Sequence, residues 1–495
     1  MILGEAAQGG DRFTLDDLFR RAGVRRADAL ALIDPPNAAS ITGAAPRTMT
    51  FAQADRAISA LAARLRALGL PTDAVVAIQL PNTVDSVIAL LGVMRARLIA
   101  APLPLLWRKQ EMVAALSRTG AKAIVAAAHI GASAPAETAV QVAAELFPIR
   151  HICGFGRGLP DGVVPLDDCL APGAMDFFAP PARPGNPGAH VAAITFDVTG
   201  DGLAAVARSH SELIAGGVAV HLESGMAEDT TILSAIPPGS FAGIALGMLP
   251  WLLSGGALAL HHGFDPAVFA AQCHANDVAS VVVPGRALTP LANAGLLGPP
   301  VKTILALWRA PERLAAAKPW QGEAALVDVA SFGEVGLLPA RRGRDGLALP
   351  IPLGAVATPR GVAGARAAIE TRRGKTGTLT LRGPMVPPLA PDAEGFVDTG
   401  FPCGLAEDGA SLTVTGSPAG LSAVGFYRFR QREIDAAVAS ADPAAVIAAL
   451  PDAALGTRLA GSARDPAAIA ADLQARGVNS LIAGAFGPRG KANAA

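Results

Sequence analysis

Apolar positions along the chain recur in two rhythms. In TFAQADRAISALAARLRALG, which starts at Thr50, residues Ala54, Ala57, Ile58, Leu61, Leu65 and Leu68 share one helical face, with Thr50 as the cap and Gly69 as the stop. Between such stretches lie short runs that do not alternate: AVVAIQL (74–80), LIAAPL, KAIVAA (122–127), TILSAI, ALALHH, SVVVP, TILAL (303–307) and ALVDV (325–329). Strands that are apolar on both faces belong in a sheet covered on both sides, so this order predicts an α/β body of doubly wound parallel sheets. No short repeat runs through it, which argues against a solenoid.

After about Arg342 the pattern shortens to LALPIPLG, GTLTLRG and SLTVTG, strand-like runs bounded by glycine that predict a β-rich subdomain over about 342–415. Beyond Gly416 the texture turns alanine-rich and helical. The expected organisation is a large N-terminal domain, 1–415, and a short α+β C-terminal domain, 416–495. Residues 171–188, rich in proline and glycine, read as a connecting loop.

The segment Phe241–Leu260 carries no charge over about the length a membrane-spanning helix needs. Pro250 and the Ser254-Gly255-Gly256 break divide it, and the reading is a buried helix, a turn and a strand, with no membrane span.

Composition narrows the function. A chain of 495 residues can bury a sizeable core. Its 41 basic and 41 acidic residues cancel without long runs of one sign, which gives no electrostatic case for nucleic acid and favours a small-molecule protein. The four cysteines, Cys153, Cys169, Cys273 and Cys403, are scattered without a CxxC pair, so neither a zinc cluster nor a disulfide framework is expected. With acidic residues where a signal peptide would be basic and then apolar, the N-terminus MILGEAAQGGDRFTLDDLF points to a cytoplasmic protein.

Two stretches carry a family resemblance. VAIQLPNTVDSVIALLGVMRARLIAAPLPLLWRKQEMVAALSRTGAKAIVAA resembles the N-terminal portion of AMP-forming acyl-CoA synthetases, a branch of the class I adenylate-forming superfamily. EGFVDTGFPCGLAEDGASLTVTGSPAGLSAVGFYRFRQREID, Glu394 to Asp435, is similar without a gap to the family segment running from the ribose-binding strand through the hinge. The resemblance covers roughly residues 13 to 435.

The resemblance implies a phosphate-handling loop after the strand AAIT (192–195), with Thr195, Thr199 and Gly200 in the hydroxyl and glycine places and Gly202 keeping the loop flexible. The lysine place holds Leu203 or Ala204, and Asp197 and Asp201 oppose a polyphosphate. A plain strand-turn-helix connection, with Ser209 and Glu212 as a capping box, is the competing reading. His210, Phe241 and Gly243 stand in the acyl-pocket region. Ala330-Ser331-Phe332-Gly333-Glu334 resembles a shortened YGxTE motif, which implies Glu334 as the acid on the Mg²⁺ and phosphate side and Phe332 near adenine.

In the ribose segment, Asp398, Thr399 and Gly400 precede Phe401, where the family has an aspartate; Asp398 is the alternative acceptor. Gly416 and Gly420 form the hinge, and Ser417 replaces the family's arginine. Val424–Arg428 resembles the turn where the family places the thioester half-reaction. Near the terminus Lys491 echoes the lysine that polarises the acyl carboxylate. Thr199 and Glu334 are therefore expected to face one cleft, with Phe401 at its rim.

Two functions follow from the resemblance. One is an AMP-forming ligase that activates a carboxylic acid with ATP and Mg²⁺ and passes it to CoA or an acyl carrier protein, slowly because three ATP-site residues are replaced. The other is a non-catalytic descendant that binds an acyl ligand or a partner.

Overall fold

The computed structural model describes residues 12–362, 364–425, 427–452 and 456–487. Two mostly parallel sheets form the body, an antiparallel sheet follows, and two hairpins with three helices complete the C-terminal part. The fold is α/β with doubly wound parallel sheets and a β-rich addition, as the alternation of apolar runs predicted.

In the eight-stranded sheet the spatial order is Gly336–Arg341, Ala325–Phe332, Thr303–Trp308, Ser280–Pro284, Ile232–Ser234, Leu258–Leu260, Leu30–Ile33, Thr48–Thr50. Its six inner strands are parallel and the edge strands antiparallel. The seven-stranded sheet runs Val164–Pro165, His151–Phe155, Ala123–Ala127, Val75–Gln79, Ile99–Pro102, Val191–Thr199, Gly202–Ser209, and all but its last pair are parallel. Inner strands such as Val75–Gln79 are buried along their whole length, which is why their sequence shows no alternation.

Helix Phe51–Ala67 begins at Thr50, whose hydroxyl and the Gln53 side chain form a capping box, and its apolar face packs inward. Phe51 stacks on Trp251 at 6.1 Å, and Phe19 tilts against both at 5.8 and 5.9 Å. Each such buried ring contributes about 1.5–3 kcal/mol through area removed from water.

The uncharged segment resolves into a helical stretch from Phe241 to Ser254 with a π-helical turn at Ile244–Met248, a left-handed Gly255 at φ 73°, and the strand Leu258–Leu260. Helix His210–Ser224 lies tightly on it: a Cβ at Gly217 would fall 2.0 Å from the Leu249 side chain. Among the described residues no helix is long and apolar enough to cross a membrane.

The antiparallel sheet has six strands between Ile351 and Val414. Beyond Gly416 the helical expectation needs correction: the hairpins Leu421–Val424/Tyr427–Arg430 and Val446–Asp452/Gly456–Ser462 precede and separate helices Gln431–Ala441 and Pro466–Ala475. Their alanines misled the helix reading, because ladder pairing and packing override a weak propensity. Residues from Val424 to Phe486 bury a hydrophobic cluster of their own around Ile434, Leu459, Leu473 and Phe486.

Candidate functional site

The strands Val191–Thr199 and Gly202–Ser209 form a hairpin closed by Gly200 and Asp201, with Thr199 opposite Gly202. The expected strand ended at Thr195 and opened into a phosphate loop; instead it runs four residues further. Phe196 packs edge-on against Trp107 at 5.3 Å, and Val198 pairs with Leu203 across the ladder, so apolar contacts carry the strand to a two-residue turn. Gly202 is not a flexible loop residue; it is buried in the strand at φ 138°, a backbone conformation that favours glycine. Thr199 Oγ1 donates to the Gly202 carbonyl at 3.0 Å, and the Gly200 carbonyl accepts from Arg430 Nη2 at 2.9 Å.

Side chains two apart share a strand face, which aligns Thr195, Asp197 and Thr199. The strand Ala325–Phe332 delivers Glu334 to Asp197 through Gly333, at φ 61°. A Cβ on Gly333 would lie 2.0 Å from Asp197 Oδ2, so the close approach requires glycine. Glu334 N–H then donates to that same carboxylate oxygen at 2.9 Å.

The Glu334 side chain is buried. Its Oε2 accepts the Phe241 N–H at 2.8 Å, Oε1 lies 3.9 Å from Arg309 Nη2, and the Thr195 hydroxyl is beside it. Burial pushes the Glu334 carboxyl above its ordinary range, opposed by the Arg309 and Arg208 guanidinium groups.

Arg208 is fully buried. It donates to the carbonyls of Met385 at 2.6 Å and of Glu334, and its guanidinium lies 3.6 Å from the Phe241 ring centre. Burial pulls its pKa down to about 10. Arg428 completes the cluster from the C-terminal part, with Nη1 3.2 Å from Asp197 Oδ1, Nη2 3.4 Å from the Arg309 carbonyl, and the guanidinium 5.0 Å from the Phe401 ring centre.

Phe401 does not stand at a rim. It is buried and packed edge-to-face on Phe332 at 5.7 Å, because an apolar ring gains more by covering Phe332 than by facing water. Asp398 is exposed on the strand Val397–Leu405 of the antiparallel sheet, accepting from Thr378 Oγ1 at 2.9 Å and Gly400 N–H at 2.8 Å. Thr399 Oγ1 donates to the Leu379 carbonyl at 2.7 Å.

His210 faces away from the cluster toward the first helix: its Nδ1 accepts the Leu15 N–H at 3.3 Å, and burial, reinforced by Arg183 and Arg97, pulls its pKa down to about 3. Gly243 packs so closely under Pro237 that a Cβ would meet the carbonyl at 2.1 Å. Gly420, at φ 72°, accepts from the Gln431 N–H, while Gly416 abuts Pro402 and Ser417 donates to Glu312 at 2.8 Å. Lys491 lies outside the described residues.

The structure thus brings together Thr195, Phe332, Gly333, Glu334 and Phe241. It leaves Thr199, Gly200 and Gly202 at the hairpin tip and Asp398–Gly400 on a strand of the antiparallel sheet. Arg208, Arg309 and Arg428 were missed as site residues. Arg208 had a signal: with Val206 it occupies the inward positions of the strand GLAAVARS, where an arginine needs buried partners.

The arrangement differs from the phosphate loop that the resemblance implied, since a tight hairpin stands in its place. Leu203 and Ala204 lie in a strand, Asp197 presents negative charge, and the Glu334 oxygens face an N–H and a guanidinium. The Phe401 side chain carries no hydrogen-bond acceptor.

Two large, mainly parallel sheets, an antiparallel sheet and a small terminal part seated against the body define the architecture of adenylate-forming enzymes. A model of the family "AMP-binding enzyme" matches residues 19–302, and the chain belongs to that family. No curated protein matches it. Among solved structures it is similar to apo MbtA of Mycobacterium smegmatis, at 21% identity over 97% of this chain and 91% of that one with a TM-score of 0.65. The amide bond synthetase McbA of Marinactinospora thermotolerans gives 17%, 94%, 94% and 0.69 in the same order. ATP-bound MatB of Rhodopseudomonas palustris gives 18%, 94%, 92% and 0.59. At such identities the likeness is one of fold.

Proposed function

We propose that this chain has the fold of an acid-activating ligase without its ATP turnover, and binds a small carboxylic acid at the buried cluster. The observation that carries the reading is the set of guanidinium groups there: Arg208, Arg309 and Arg428 lie among the carboxylates of Asp197, Glu334 and Glu212. Guanidinium forks suit a carboxylate ligand in pairs of bonds, whereas a polyphosphate meets Asp197 first. The same reading divides the chain at Gly416, with the terminal part acting as the cover over the cluster.

A second reading, a slow AMP-forming acid-thiol ligase using CoA or a carrier protein, is favoured by a specific placement. The strand Tyr427–Arg430, similar to the family's thioester-step segment, lies on the body: Tyr427 accepts the Leu106 N–H at 3.2 Å and Arg430 reaches Gly200. The ATP-bound state of MatB, which has a similar fold, also supports it.

Calorimetry with ATP and Mg²⁺, followed by pyrophosphate release across short, aromatic and long-chain acids, separates the two. The expected outcome is acid binding without ATP binding or pyrophosphate release. Ordinary ATP affinity with steady release refutes the first reading and establishes the second; silence toward every acid refutes the acid site.

A further inference from the structure

Asp328 stands on the strand Ala325–Phe332, which leads to Glu334, and is itself buried. Arg342 grips it with two nitrogens, Nε to Oδ2 at 2.6 Å and Nη2 to Oδ1 at 3.1 Å. The third guanidinium nitrogen, Nη1, donates to the carbonyls of Lys318 at 2.8 Å and Gly346 at 3.0 Å. A buried ion pair with its bonds filled in this way is a fixed point, because moving either partner leaves the other charge buried and uncompensated.

The same carboxylate holds an indole. Trp308 Nε1 donates to Asp328 Oδ1 at 2.7 Å. Trp308 ends the strand Thr303–Trp308, in which Ala306 pairs with Asp328 and Trp308 with Ala330, so the indole and the carboxylate share one face of the sheet. Gly285 lies so close under the ring that a Cβ there would fall 2.4 Å from it. Backbone against its face and an acceptor at its edge give the indole one seat. The next residue is Arg309, the most exposed of the three arginines in the cluster, with its side chain 19% exposed against 9% for Arg428. A ligand carboxylate therefore meets Arg309 first. Its Nη2 stands 3.9 Å from Glu334 Oε1, too far for a hydrogen bond that would fix its direction, and Arg428 reaches the Arg309 carbonyl rather than its fork. The aim of the fork is then set by the course of the chain at Trp308.

We propose that Asp328 and Trp308 are positioning residues for the acid site: Asp328, anchored by Arg342, seats the indole, and the seated indole aims the Arg309 guanidinium at the carboxylate of the ligand. The inference rests on the acid-binding reading. Two parallel N–H···O bonds need both nitrogens in line, so a fork displaced by about 0.5 Å loses the pair. An ammonium group donates in any direction and is indifferent to such a shift.

The test is calorimetry of the full chain with propionate, hexanoate and benzoate, comparing wild type with Trp308→Phe, which keeps an aromatic ring and loses the N–H. Trp308→Phe binds the acid about threefold to tenfold more weakly, the range of one hydrogen bond. In an Arg309→Lys background the same substitution changes affinity by less than about twofold, because the point charge needs no aiming. If Trp308→Phe does not fold, Asp328→Asn, which keeps an oxygen for the indole, binds within about twofold of wild type although its unfolding midpoint in urea falls. Affinity unchanged by Trp308→Phe, an equal loss in both backgrounds, or a loss of binding in Asp328→Asn overturns the inference and leaves the acid site standing. Silence of wild type toward all three acids refutes the acid site itself, and the inference with it.

Discussion

Asp85 opens the helix Val84–Arg95 with its carboxylate 2.8 Å from Arg47 Nη1, close to the carboxylates of Asp34 and Asp167. Burial, ahead of the opposing pull of Arg47, pushes its pKa from 3.8 up to about 7. The folded protein therefore holds a proton between those values that the unfolded chain has released, and stability falls as pH rises through that window. The loss is at most about 1.4 kcal/mol per unit. Asp85→Asn removes this dependence, so urea unfolding across pH 4 to 7 should show the variant gaining on wild type as pH rises. A constant difference between the two would show that Asp85 keeps its ordinary pKa. At this scale, much of the chemistry was legible as residue types and little as pairings. Gly333 and Glu334 stood out in the sequence, but that Gly333 makes room for Asp197 depends on two strands from different sheets meeting.

At the scale of elements, local signals read well where the chain is its own partner. Ser209 caps helix His210–Ser224 and Glu212 returns the bond, as the spacing of the two residues implied. Ser209→Ala should cost about 1 kcal/mol in thermal or urea unfolding. A loss of several times that would mean the hairpin, whose last residue is Ser209, depends on the cap as well. The hairpin itself was not legible. FDVTGDG reads equally well as a loop, and what decides for a strand is Phe196 meeting Trp107, a contact between distant segments. Beyond Gly416 the alanines were misleading for the same reason: pairing between Val446–Asp452 and Gly456–Ser462 is a property of two segments together.

For the whole molecule, the question is what keeps the terminal part against the body. Arg428 to Asp197 is a nearly buried ion pair, with side chains 9% and 11% exposed. Tyr427 and Arg430 add bonds on either side of it. Arg428→Ala leaves Asp197 without its cation and should cost about 3 kcal/mol. It should also release the cover, making the link near Gly416–Gly420 more readily cut in limited proteolysis. Unchanged stability together with an unchanged cleavage pattern would show that the pair contributes nothing to the closure. The overall architecture was legible because apolar runs of both lengths repeat over hundreds of residues. The closure was not, since it rests on Tyr427, Arg428 and Arg430, whose partners lie far away in sequence.

The two-residue turn at Gly200-Asp201 also sets the terms for anyone redesigning the chain. With Thr199 already facing Gly202 across the ladder, there is no slack backbone whose amides could be turned toward a phosphate. Point substitutions at Leu203 or Ala204 add a charged side chain to a strand but no cradle around it. Opening a loop there requires inserting residues between Gly200 and Asp201. Because the insertion falls at the tip, the inward and outward faces of both strands keep their register, and the scaffold on either side can stay as it is.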